Sequence, residues 1–83
     1  MNLLKVPIGL LINFNVKNYK NALRYYNLII DIADETDAYL KAGMINHLFL
    51  KNPKKAIDLY SKYIEKGGEH SEKVMEMLKQ LAD

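Results

Sequence analysis

Cysteine is absent from the 83-residue chain, which removes disulfides and thiolate metal ligands together, and with them any argument for an oxidising compartment. A large charge of one sign is missing too. Twelve Lys and Arg stand against 10 Asp and Glu, and a net charge of +2 does not by itself imply a nucleic-acid partner. No apolar run reaches the roughly 20 residues that span a bilayer. The longest, MNLLKVPIGLLINF, is nearly unbroken from Leu3 to Phe14, but Lys5 and Pro7 interrupt it. No basic residue precedes it and no small-x-small cleavage site follows, so it reads as neither a signal peptide nor a membrane anchor, and a cytoplasmic location is expected.

Catalytic patterns are lacking as well. There is no glycine-rich phosphate loop, no Ser, His and acid set at a usable spacing, and no carboxylate pair with a pocket to raise one pKa. His47 and His70 are far apart in sequence and form no HExxH pattern; they read as a half-buried helix residue and a turn residue. The acidic stretch DIADETD, residues 31–37, lacks the glycine and terminal Glu of a calcium loop and reads as a solvated turn. An enzyme, a cofactor and a metal are therefore not expected.

What the chain has is a repeat. KNYKNALRYYNLII, residues 17–30, returns as KNPKKAIDLYSKYI, residues 51–64. In the same register Gly9 matches Gly43, Lys17 matches Lys51, Asn18 matches Asn52, Lys20 matches Lys54, Ala22 matches Ala56 and Tyr26 matches Tyr60. A composition 49% hydrophobic and 27% charged suits a single small globular domain over residues 1–83. Each period reads as two helices. The second has an apolar face formed by Ala22, Leu23, Tyr26, Ile29, Ile30 and Ala33, and again by Ala56, Ile57, Tyr60, Tyr63 and Ile64. Asn18 and Asn52 are suited to cap it, Pro53 to open it, and Gly67 with Gly68 to end it. The first helix of each period, about residues 3–16 and 37–50, is apolar nearly all round, which predicts burial on more than one side; Thr36 or Asp34 would cap the latter. A last helix over about 70–82, capped by Ser71, carries one narrow stripe of Val74, Met77, Leu78 and Leu81.

A 34-residue period with a small residue and an aromatic four apart in the second helix, here Ala22 with Tyr26 and Ala56 with Tyr60, resembles the tetratricopeptide repeat family. Gly9 and Gly43 stand near the family's small position on the first helix. The resemblance implies an all-α fold of antiparallel hairpins stacked as a short right-handed solenoid of about five helices. The units would be repeat 1 at about 3–34, repeat 2 at about 37–68 and a capping helix at about 70–82. Two departures stand out. The interval from Gly9 to Ala22 equals that from Gly43 to Ala56, and both are one position longer than is usual for the family. Positions 29 and 63 carry Ile and Tyr where the family prefers a small residue.

In the family the first helices line a concave surface that binds peptides. One family mode grips a C-terminal carboxylate with a Lys followed one turn later by Asn. Here Lys5 is followed by Gly9, Lys41 by Ile45 and Lys73 by Met77, so that clamp is absent. The corresponding surface is apolar, around Val6, Leu10, Leu11, Phe14, Leu40, Met44 and Leu48. These residues are the expected contacts of a non-catalytic protein–protein interaction module that binds an apolar helix or peptide or forms a homo-oligomer. The other expectation uses a basic edge, Lys17, Lys20, Arg24, Lys51, Lys54 and Lys55, to hold an acidic partner or, less favoured for want of interleaved aromatics, nucleic acid.

Overall fold

Asn18 and Asn52 each stand where the chain turns into a helix, as the repeated segment requires. A computed structural model describes residues 18–82 as four α-helices: α1 (Tyr19–Ala33), α2 (Thr36–Leu48), α3 (Pro53–Glu65) and α4 (Ser71–Ala82). No strand occurs among the described residues. The protein is all-α, and the stretch expected to form a further helix, residues 3–16, lies outside the described residues.

The helix ends follow the predicted positions more closely than the predicted bonds. The Asn52 side chain accepts a long hydrogen bond from the Lys55 backbone N–H at 3.4 Å, ahead of Pro53 at the first helical position. Asn18 caps α1 by position only. Its Oδ1 instead accepts from the Asn21 side-chain amide at 2.7 Å. Thr36 and Asp34 do not cap α2: Glu35 holds that position without a side-chain bond, Thr36 is already helical, and Asp34 is the left-handed residue that ends α1, with φ 50°. Ser71 is likewise inside α4, and its hydroxyl donates to the Gly68 carbonyl at 2.6 Å.

Short connections fold each helix back against its neighbour in sequence, with the α2–α3 pair the most extensive. The core sits on α2. From Ala38 to Leu48 every residue except Lys41 is buried, the enclosure expected of a helix apolar on all sides. α3 adds Ala56, Leu59, Tyr60 and Tyr63, and α4 adds Val74 and Met77 from its single stripe. α1 contributes less. Leu23, Tyr26 and Ile30 pack against the cluster without full burial, and no residue of α1 is buried.

Two glycines permit this packing. A methyl group at position 43 would lie 2.6 Å from the Tyr60 ring, so only hydrogen at that position lets α2 and α3 approach with the tyrosine between them. The same relation recurs at Gly68, where a methyl group would lie 2.1 Å from the Tyr63 ring. The left-handed conformation that closes α3 belongs to Gly67, with φ 77°. Gly68 thus makes room for the Tyr63 ring. In the first copy both partners change together: the matching positions hold Ile29 and Asp34.

Candidate functional site

Beneath the α2–α3 contact lies a polar pair in an otherwise apolar interior. His47 Nδ1 and the Tyr60 hydroxyl are 3.0 Å apart and share a hydrogen bond, with the imidazole edge-on to the phenol ring at 5.8 Å between centroids. Burial holds the His47 imidazole below its ordinary pKa and pushes the Tyr60 phenol well above its own, so both are neutral near pH 7. Asn46 is buried beside them, and its side-chain amide donates to the Ala42 carbonyl at 2.9 Å. His47 is thus more deeply buried than the half-buried position expected. It borders a shallow depression of about 270 Å³ with Lys51, Pro53 and Leu81, a set with no carboxylate, hydroxyl or thiol. Among the described residues no group of three or more His, Asp or Glu side chains could hold a metal ion.

The acidic turn between α1 and α2 is more structured than a solvated turn. Tyr39 on α2 donates its hydroxyl to Asp34, and Lys66 at the end of α3 reaches the other carboxylate oxygen at 2.7 Å. The ammonium also stands 5.8 Å from the centre of the Tyr39 ring. Hydrogen bonds from Lys66 and Tyr39 hold the Asp34 carboxyl below its ordinary pKa, and the carboxylate in turn raises the Tyr39 phenol. Three helix ends are thereby tied at one edge, through a pair of residues distant in sequence. His70 is the turn residue expected: its backbone N–H donates to the Tyr63 hydroxyl at 2.9 Å.

The expected apolar contact surface divides. Leu40, Met44 and Leu48 are members of the buried core and present no face to a partner. Val6, Leu10, Leu11 and Phe14 lie outside the described residues. Of the basic edge, Lys17 lies outside them too, while Lys20, Arg24, Lys51, Lys54 and Lys55 are all exposed. Stacking of Tyr19 on Phe49, 5.1 Å between centroids, brings the start of α1 with Lys20 beside the α2–α3 turn, where Lys51, Lys54 and Lys55 stand, while Arg24 lies more than a helical turn further along α1.

One surface was missed by the sequence reading. Tyr25, Leu28 and Ile32 are exposed by 60%, 54% and 74%. Their spacing of three and four positions aligns them along one side of α1, away from Leu23, Tyr26 and Ile30, which pack on the core. The signal was present in the repeat itself, because the second copy holds Lys62 and Lys66 in place of Leu28 and Ile32. Compared with known proteins, the chain matches no family model, no curated protein and no solved structure.

Proposed function

We infer that the protein is a non-catalytic module for protein–protein interaction, built as a short right-handed tetratricopeptide-like array. The sequence period, the close α2–α3 hairpin over Gly43 and the packing of each helix on its sequence neighbours support the architecture. The observation that carries the function is the exposed apolar row of Tyr25, Leu28 and Ile32, since grouped apolar exposure on a small domain marks an interface. The row is dominated by apolar surface, and the role we infer for it is contact. A cytoplasmic setting belongs to the same reading, and no helix of the described residues is long and apolar enough to cross a membrane.

The test is an affinity capture with the chain as bait, paired with the variant carrying Leu28→Lys and Ile32→Lys, which restores the lysines of the second copy. Wild type should retain at least one polypeptide, itself included, that the variant loses. Equal retention by both baits would end the reading. A second reading, an adaptor for an acidic partner or nucleic acid, is favoured by the exposed basic side chains of Lys20, Lys51, Lys54 and Lys55 near the α2–α3 turn. It requires polyanion binding that falls steeply with salt and is lost with Lys54→Glu and Lys55→Glu.

A further inference from the structure

The apolar row on α1 is bordered by two charges whose placement is self-complementary. Arg24 and Asp31 are two helical turns apart, which returns them to nearly the same flank, about 10 Å apart along the axis. Both are exposed, and neither is ion-paired among the described residues, where the one salt bridge joins Lys66 to Asp34. The midpoint between Arg24 and Asp31 falls between Asn27 and Leu28. That between Tyr25 and Ile32 falls between Leu28 and Ile29. Charges and apolar residues therefore share one centre, at Leu28.

We propose that α1 is an isologous docking surface for a second copy of this chain, the two α1 helices packing antiparallel across a twofold axis at Leu28. This rests on the reading of the protein as an interaction module and names its partner. A twofold axis perpendicular to both helices moves each residue to the opposite height while keeping it on the same flank of the seam. Arg24 then meets Asp31 of the second copy, and Asp31 meets its Arg24. Tyr25 lies across from Ile32 of the second copy, and the two Leu28 side chains meet at the axis. In a parallel pair the twofold runs along the helices and carries these charges to opposite flanks of the seam, where Arg24 and Asp31 meet no partner, so only the antiparallel arrangement pairs them. The repeat itself does not require this pattern. Arg24 is replaced by Asp58 in the second copy, where Lys62 and Lys66 stand in place of Leu28 and Ile32. A contact of one helix face per copy lies at the small end of specific interfaces, below about 1,200 Å² in total, and the dimer is accordingly weak.

Sedimentation equilibrium of the full chain from micromolar to near-millimolar concentration tests the proposal at low ionic strength. Wild type should pass from monomer to dimer over that range. Arg24→Glu and Asp31→Arg should each weaken the dimer on the order of tenfold, because each leaves like charges facing across the seam twice. An equimolar mixture of the two variants should recover dimer, as should the chain carrying both changes. Both positions are exposed on α1, and unchanged circular dichroism shows that the fold is kept. A wild type that stays monomeric overturns the proposal. Dimers indifferent to charge reversal overturn it too, since they would form through another surface. In either case, capture of a different protein through Leu28 and Ile32 would leave the module reading standing.

Discussion

α1 and α3 are the same segment written twice, and they have been put to different uses. α3 lies between α2 and α4 and buries Ala56, Leu59, Tyr60 and Tyr63, while Lys62 is exposed and Lys66, just past its end, pairs with Asp34. α1 buries nothing completely and carries Leu28 and Ile32 where those lysines stand. The shared residues, an asparagine ahead of the helix, an alanine and a tyrosine four apart, mark the helix start and its inward face. The residues that differ decide what the outer side meets. The lesson is that a repeat fixes the inner face of its helices and leaves the outer face free to be specialised.

The comparison is broken most severely by truncating the repeated tyrosine. Tyr60→Ala should cost about 3–5 kcal/mol in urea unfolding, through a cavity in the core and an orphaned His47. Tyr26→Ala, at the matching but only partly buried position, should cost less than half as much; equal losses would mean that α1 is as deeply packed as α3. Gly43→Ala comes next, at about 1–3 kcal/mol, because the added methyl must displace the Tyr60 ring. A thermal melt unchanged by that substitution would refute the close approach of α2 and α3.

Much of this inner architecture was legible in the sequence, because hydrophobic period and helix punctuation report directly on backbone and burial. The starts of α1 and α3 at Asn18 and Asn52, the enclosure of α2 and the single stripe of α4 all follow from it. Capping bonds were less legible. They depend on a side chain's choice among nearby partners, as when Asn18 takes Asn21 in place of a backbone N–H. Contacts between distant residues, such as Asp34 with Lys66, leave no periodic trace at all. Core and interface are hard to separate for a related reason: Leu40, Met44 and Leu48 are as apolar as an interface, and only packing reveals that they belong to the core.

Smaller effects sharpen the account. Since burial lowers the His47 pKa, the folded state favours neutral imidazole, and the unfolded chain binds more protons below its ordinary value of 6.5. That stability is complete above the ordinary value and declines as pH falls toward the lowered folded-state value. The urea midpoint should therefore drop between neutral and mildly acidic pH. His47→Gln, which can still meet the Tyr60 hydroxyl, should flatten the slope, and an unaltered slope would assign it to other groups. The smallest change is expected from Asp34→Asn, which keeps a residue tolerant of the left-handed conformation but removes the charge that Lys66 meets. Its lowered carboxyl pKa stabilises the fold above the ordinary value of 3.8, and that contribution is lost as pH falls through the folded-state value. The loss on substitution should shrink further in high salt, and one that grows with salt would contradict the ion pair.

The division of labour between the twin helices is tested most directly by backbone amide NMR shifts followed across a dilution series of the full chain. The amides around Tyr25, Leu28 and Ile32 should move with concentration, while those of the matching stretch around Leu59 and Lys62 stay fixed. Shifts that are concentration-independent on α1, or that move equally on α3, would contradict the claim that the outer face of α1 is specialised for contact with a second copy.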